Sequence, residues 1–87
     1  MLHKVIAIEC ENGLRARNAA VFVQTASAFS SQMLIEKGNK KVNAKSIMGV
    51  LSLGVGRGDT IHLIVTGEDE QAALETMQNL ADRDFEP

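Results

Sequence analysis

The chain has 87 residues, a length that suits one compact domain built around one hydrophobic core. Hydrophobic residues make up 45% of it, the net charge is −2, and Trp and Tyr are absent. This balance argues against a basic surface on which nucleic-acid bases could stack. We therefore expect one domain, residues 1–87, that makes no direct contact with nucleic acid.

The sequence shows neither a membrane segment nor an export signal. No apolar run approaches the roughly 20 residues that cross a bilayer, and no basic segment precedes an apolar stretch. Cys10 is the single cysteine, so an intrachain disulfide is excluded, as suits a reducing cytosol. We expect a cytoplasmic protein in which Cys10 is a small core or strand-end residue.

Seven segments have the apolar spacing of a strand or a helix. Alternating runs rich in Val and Ile predict strands, and apolar residues three and four positions apart predict helices. In chain order they are a strand at 2–9, a helix at 16–29, strands at 32–37 and 40–43, a short helix after residue 46, a strand at 60–66 and a helix that starts within 67–69. The order βαββαβα predicts an α+β fold, an open-faced β-sandwich with a four-stranded antiparallel sheet and three helices on one face.

The same spacing predicts the core and the ends of the last helix. Asp69 is a candidate N-cap of that helix, and residues 82–87 are expected to fray. The residues expected to face the core are Ile6, Ile8, Ala19, Phe22, Val23, Ala26, Phe29, Met33, Ile35, Val42, Ile61, Leu63, Val65, Ala73, Met77, Leu80 and Ala81.

Two features that resemble ligand sites have simpler explanations. The glycines of loop 55–59 follow a helix and precede a strand, the reverse of a dinucleotide-binding motif, so we interpret them as turn residues. His62 points away from the core face, and no other His, Cys or carboxylate stands at a ligand spacing from it. We therefore expect no metal site and no cofactor.

The stretch 43–54 has more apolar residues than one face of a two-turn helix can hold. Val50 and Leu53 are one helical step apart and can both face the core. Ile47, Met48 and Leu51 then form a second apolar strip beside the serine that precedes the helix. A short helix that is apolar all round is either fully buried or faces a partner.

Ser46 and Gly54 mark the ends of this short helix. Ser46 fits the N-cap, where its oxygen accepts a bond from a first-turn N–H, and Gly54 fits the left-handed residue past the end. One interpretation is a buried helix with an ordinary serine cap. The other is a docking helix whose serine is phosphorylated, because a phosphate there would meet free N–H groups and the positive end of the helix dipole.

Arg15 and Arg17 lie at the start of the first helix, where the helix dipole does not favour cations. Two guanidinium groups together with free backbone N–H groups could hold an anion. The simpler alternative is that both side chains extend into water.

Two blocks, 12–20 and 41–54, resemble the HPr-type proteins of the bacterial sugar phosphotransferase system, and the similarity runs over nearly the whole chain. The second block, KVNAKSIMGVLSLG, is long and specific. The first departs from the family motif Gly-Leu/Ile-His-Ala-Arg-Pro. Arg15 stands in the place of the phosphorylated histidine, and Asn18 in the place of the proline.

The arginine changes what chemistry is expected. Phosphoryl relay needs a neutral ring nitrogen, whereas arginine stays charged and offers no free lone pair. The resemblance is therefore closer to the Crh group, HPr-like proteins of carbon catabolite repression that lack the active histidine but keep the regulatory serine. Crh proteins usually have glutamine at that position, so Arg15 departs from both groups.

This resemblance implies a regulatory, non-enzymatic function in carbon catabolite repression. HPr kinase/phosphorylase would phosphorylate Ser46, and the phosphorylated form would act as corepressor for the LacI-type transcription regulator CcpA. The positions that match the family's partner-binding residues are Arg17, Ser46, Ile47, Met48 and Leu51. The resemblance also implies that a homodimer can form by exchange of the first strand, with the connection that contains Gly13 as a hinge.

Two other functions stay open. An HPr-type phosphocarrier or an enzyme would need a nucleophile or an acid–base pair, and the sequence offers only isolated groups. A direct regulator of a metabolic enzyme could use the same short helix as a transcriptional corepressor, and the sequence does not separate these two functions.

Overall fold

The computed structural model of the chain describes residues 1–86 and has the predicted order of strands and helices. The elements are β1 (Leu2–Ala7), α1 (Ala16–Ser27), β2 (Gln32–Lys37), β3 (Lys40–Asn43), α2 (Ile47–Ser52), β4 (Thr60–Thr66) and α3 (Glu70–Asp82). The predicted α+β open-faced sandwich is confirmed. Within residues 1–86, no helix has the length and apolar character needed to cross a membrane.

The four strands form one antiparallel sheet in the order β1-β4-β2-β3. In the central strand β4, Val65 lies opposite Leu2 of β1 on one side and opposite Met33 of β2 on the other. Because successive side chains of a strand point to opposite faces, Val65 faces the helices and His62 faces solvent. The strands β1 and β3 lie at the edges, and each pairs on one side only.

The hydrophobic core lies between the sheet and the helices, and it is built from the side chains that the spacing predicts. Of the predicted core residues all but four are buried. The four are half-buried against the same core: Val23, Phe29, Val42 and Ala81. Loop residues that have no periodic signal complete it, among them Leu14, Ala44 and Val55, each at most 1% exposed.

Two boundaries differ from the predicted ones. The strand β1 ends at Ala7 rather than residue 9. The chain nevertheless stays hydrogen-bonded beside the segment before β4 for one more residue. The Ile8 N–H donates to the Asp59 carbonyl at 2.9 Å, and the Ile8 carbonyl accepts from the Gly58 N–H at 2.8 Å. The helix α1 ends at Ser27, two residues before the predicted end.

Asp69 is the N-cap residue of α3, as predicted, but its side chain does not perform the usual capping role. Its carboxylate makes no capping bond. It accepts instead from the backbone N–H groups of Ser30 and Ser31, at 2.9 and 3.0 Å, and from the Ser31 hydroxyl. These bonds stabilise the carboxylate and lower the pKa of Asp69 to about 2, and the bond from the Ser31 hydroxyl has the largest effect. The carboxylate thus ties the end of α1 to the start of α3.

The prediction of a fraying C-terminal tail is wrong for the residues that the structure describes. Asp82 is still helical, and Phe85 is only 1% exposed, with its ring centroid 6.3 Å from that of Phe22. The chain turns back because Asp84 and Phe85 take positive φ angles of 54° and 64°, and the Phe85 N–H donates to the Leu80 carbonyl at 2.9 Å. Pro87 lies outside the described residues.

Candidate functional site

The helix α2 begins where the sequence predicts. Ser46 has extended backbone angles, φ −109° and ψ 116°, and its Oγ accepts from the Gly49 N–H at 3.1 Å. Leu53 ends the helix and Gly54 follows with a φ of 62°, the left-handed conformation that glycine adopts without strain. The serine oxygen therefore sits against the first turn of α2, where the N–H groups have no partner within the helix.

The apolar residues of α2 divide into two faces. Val50 is fully buried and Leu53 is 7% exposed, so both belong to the core. Ile47, Met48 and Leu51 are 39%, 74% and 43% exposed. We call these three side chains the apolar strip. The predicted second face is therefore present, and the interpretation of α2 as a fully buried helix is excluded.

Two lysines of the β2–β3 hairpin hold the C-terminal end of α2. The Lys40 Nζ donates to the Ser52 carbonyl at 3.1 Å, and the Lys37 Nζ donates to the Gly54 carbonyl at 3.0 Å. Positive charges at this end also complement the helix dipole. Sequence reasoning missed both lysines, because their partners lie 12 and 17 residues away and no local motif marks such a pair.

Lys37 also connects α2 to the glycine loop before β4. Its Nζ lies 3.0 Å from an Asp59 carboxylate oxygen, which accepts from the Gly56 N–H at 2.8 Å. The pKa of Asp59 lies below its usual range. The largest cause is the bond that its carboxylate accepts from the Gly56 N–H, followed by the bond from Lys37, and the positive charge of Arg15 adds a smaller effect. The Asp59 side chain therefore stabilises the turn of its own loop by accepting from Gly56. This contact supports the interpretation of the loop glycines as turn residues.

Arg15 and Arg17 frame the N-terminus of α1. Arg15 is the N-cap residue, and its side chain makes no capping bond. Between the two arginines, Ala16 has a φ of 48°, a left-handed conformation that costs a non-glycine residue free energy. Both arginines are exposed, and within residues 1–86 neither guanidinium makes an ion pair or a hydrogen bond. The geometry thus agrees with an Arg17 side chain that extends into water, whereas the Arg15 guanidinium lies beside Gly56, near enough to Asp59 for its charge to lower the pKa of that carboxyl. Among the described residues neither arginine is held in an ion pair, so both can meet an anion.

Asn18, which stands where the resemblance has proline, ties α1 to the preceding turn. Its Nδ2 donates to the Gly13 carbonyl at 3.0 Å and lies 3.6 Å from the Cys10 sulfur. Cys10 is 7% exposed, as expected of a small core residue, and its thiol donates to the same carbonyl at 3.5 Å. These contacts assign both side chains to the structure of the turn.

The two histidines lie together on the open face of the sheet. The rings of His3 and His62 are stacked, with centroids 6.1 Å apart and planes inclined by 15°. Among residues 1–86, no group of three or more His, Cys, Asp or Glu side chains could hold a metal ion.

The fold and the sequence place the chain in a known class. A family model described as the PTS HPr component phosphorylation site matches residues 2–83. The chain belongs to the HPr family.

Within the family, the chain is similar to the HPr-like proteins named Crh. It is 53% identical to Crh of Halalkalibacterium halodurans and 51% identical to Crh of Bacillus subtilis, each over 77 residues. These alignments cover 88% of this chain and 92% and 91% of the two relatives. The expected resemblance is confirmed.

Solved structures of family members share the fold. The crystal structure of HPr-C-His from Thermoanaerobacter tengcongensis has a TM-score of 0.96 at 52% identity, covering 98% of this chain and 96% of that one. A Bacillus subtilis Crh crystal structure, described as a dimer with a swapping domain, has a TM-score of 0.76 at 45% identity over 100% of both chains. The predicted roles of Arg17, Ser46 and the apolar strip stay predictions.

Proposed function

We propose that the chain is a cytoplasmic, non-enzymatic regulator of carbon catabolite repression that is switched by phosphorylation of Ser46. HPr kinase/phosphorylase adds the phosphate, and the phosphorylated form docks on the LacI-type regulator CcpA as its corepressor. The observation that carries this proposal is the position of the Ser46 oxygen at the start of α2, directly beside the exposed apolar strip.

The switch acts through charge rather than through refolding. A phosphate on Ser46 adds roughly 1.5 to 2 negative charges at neutral pH, at the helix end that favours them. It then makes a charge-assisted bond to a partner arginine or lysine, worth about 1.5–3 kcal/mol, or roughly a ten- to hundredfold gain in affinity. The apolar strip provides the anchors for the rest of the interface, and Arg17 is the arginine of this chain that lies against the partner.

A binding titration tests the switch. CcpA carrying a fluorescent label is titrated with the unmodified protein and with the protein phosphorylated on Ser46, and the phosphorylated form should bind at least about tenfold more tightly. Raising the salt concentration should reduce this advantage. Equal affinities for the two forms, or amide shifts across the whole sheet on phosphorylation, would contradict a local charge switch.

Substitutions in and away from the apolar strip test the docking surface. Met48→Asp should weaken binding even when Ser46 is phosphorylated, because it places a charge at the most exposed position of the strip. Val5→Asp is the matched control, since Val5 is also an exposed apolar residue, 54% exposed, but lies on the edge strand β1. Equal losses from the two variants would contradict docking through α2.

We also propose that the chain takes no part in phosphoryl relay from phosphoenolpyruvate. The guanidinium of Arg15 has no free lone pair with which to attack phosphorus. In a reconstituted relay with the general phosphotransferase enzyme, the protein should gain no acid-labile label. Arg15→His should restore labelling only in part, because Asn18 lacks the fixed φ that proline brings to a helix start.

We further propose a homodimer in which β1 is exchanged between two copies. The strand pairs only with β4 at the edge of the sheet, so its exchange leaves the pairing of β4 with β2 intact. The swapping domain of the Bacillus subtilis Crh crystal structure supports this assembly. Light scattering after size exclusion should show a dimer fraction that grows with protein concentration and incubation time.

A pull-down separates the corepressor function from direct regulation of a metabolic enzyme. Unmodified and Ser46-phosphorylated proteins are used as baits, and the captured proteins are identified by mass spectrometry. Capture of the transcription regulator by the phosphorylated bait supports the proposed function, whereas capture of a metabolic enzyme alone would replace it.

A further inference from the structure

We propose that Met48 is a site of reversible oxidation by peroxide, and that its oxidation removes the apolar character of the docking strip. The chain has four methionines. Met33 and Met77 are 0% and 1% exposed, whereas Met48 is 74% exposed. Met1 is 78% exposed but precedes β1, at the sheet edge opposite to β3 and α2. Met48 is therefore the methionine whose oxidation changes the apolar strip.

The reaction needs a peroxide and nothing else. A lone pair of the Met48 sulfur attacks one peroxide oxygen, the O–O bond breaks, and a sulfur–oxygen bond forms. The leaving hydroxide takes the proton of the transferred hydroxyl, so the products are the sulfoxide and water. Sulfur loses two electrons and the peroxide gains them, and methionine sulfoxide reductases reverse the change.

Exposure decides which methionine reacts. Peroxide must reach the sulfur, and water must solvate the separating charges, so a side chain enclosed in the core is protected. Met33 lies on β2 and Met77 on α3, and both are enclosed in the core between the sheet and the helices, so their oxidation requires opening of the domain. Met48 projects from the first turn of α2 and requires no opening.

The oxidation changes the surface without changing the fold. Met48 belongs to no part of the core, so a polar oxygen on its sulfur leaves the packing of Val50 beneath α2 intact. On the surface, the sulfoxide is a strong hydrogen-bond acceptor at the most exposed position of the apolar strip. Burying it against an apolar partner would remove the water that is bonded to it, at a cost in free energy. This consequence for partner docking rests on the proposed function, whereas the oxidation and the loss of apolar surface do not.

The first experiment treats the folded protein with hydrogen peroxide and follows each methionine by peptide mass spectrometry. Met48 should oxidise at a rate close to that of Met1 and at least about tenfold faster than Met33 and Met77. Retention on a hydrophobic-interaction column should fall as Met48 oxidises, while the circular dichroism stays unchanged. Oxidation of Met48 as slow as that of the two buried methionines, or unchanged retention, would overturn the proposal.

The second experiment measures docking with the Met48→Leu variant as control. Leucine keeps an apolar side chain of similar size but cannot be oxidised. Peroxide should weaken binding of the phosphorylated wild type to CcpA about tenfold, and it should leave phosphorylated Met48→Leu unaffected. Equal peroxide sensitivity of both proteins would refute the role of Met48. If neither protein binds CcpA before oxidation, the proposed function fails, while the column and mass spectrometry still decide the oxidation site.

Discussion

Replacing Ser46 with alanine removes the acceptor of the Gly49 N–H bond with which α2 begins. Loss of an N-cap serine costs about 1 kcal/mol, within a range of roughly 0.5–2 kcal/mol. The cost should lie near the middle of that range, because Gly49 is only half-buried and water can replace part of the lost bond. Ser46→Asp should cost much less, since its carboxylate accepts the same bond and suits the positive end of the helix dipole.

Thermal unfolding monitored by circular dichroism measures this difference. For a domain of this size, 1 kcal/mol corresponds to a shift in Tm of about 4–8 °C. Ser46→Ala should therefore melt about 4–8 °C below the wild type, and Ser46→Asp should melt between the two or close to the wild type. Binding assays that use Ser46→Ala as the unphosphorylatable form must be run well below its Tm, or unfolding will be taken for loss of regulation.

Ser52→Ala is the matched control for the cap. Its hydroxyl donates to the Gly49 carbonyl at 2.7 Å within the same helix, and it is exposed. A surface substitution of this kind should change stability by less than about 0.5 kcal/mol. If Ser46→Ala proves as stable as Ser52→Ala, or as Ser46→Asp, the Gly49–Ser46 bond does not stabilise α2 and the reasoning is refuted.

Three further predictions concern the C-terminal turn, the carboxylate of Asp69 and the glycines with positive φ. Phe85→Ala should lower the free energy of unfolding in urea by about 3–5 kcal/mol, because it empties a buried aromatic site. Asp69 has a pKa lowered from 3.8 to about 2, so its stabilising effect is full above pH 3.8 and is lost as the pH falls toward 2. Asp69→Asn should therefore flatten the stability–pH curve in that range. Gly13→Ala should destabilise far more than Gly54→Ala. Both glycines have positive φ, but only at Gly13 would a Cβ collide with backbone, at the Val55 carbonyl, and comparison of the two melting curves checks this.

The two faces of α2 could be predicted because the information is local. Residues 47–53 are all within two turns, so their spacing alone divides Val50 and Leu53 from the apolar strip, and the structure confirms that division. The serine cap and the glycine after Leu53 are also local signals, since each depends on hydrogen bonds or φ angles within four residues. The same holds for the strands, whose alternation places Ile61 and Leu63 toward the core.

The roles of Asp69 and Phe85 could not be predicted because their partners are remote in sequence. Asp69 looks like a helix cap to any local rule, but Ser31, 38 residues earlier, competes for the carboxylate and wins because it donates from both its backbone and its hydroxyl. Phe85 follows a run of charged residues with no apolar period. It becomes a core residue because the chain reverses after α3 through two left-handed residues, neither of them glycine.

The way α2 is held bears on how a charge at Ser46 can act. Val50 fixes the helix to the core from beneath, and Lys37 and Lys40 fix its C-terminal end to the β2–β3 hairpin. None of these contacts involves the Ser46 hydroxyl, which holds only the first turn. A phosphate on that oxygen therefore meets a helix that is already in place. We expect its charge to change what the apolar strip can bind and to leave the position of the strip unchanged, since the contacts that set that position lie elsewhere.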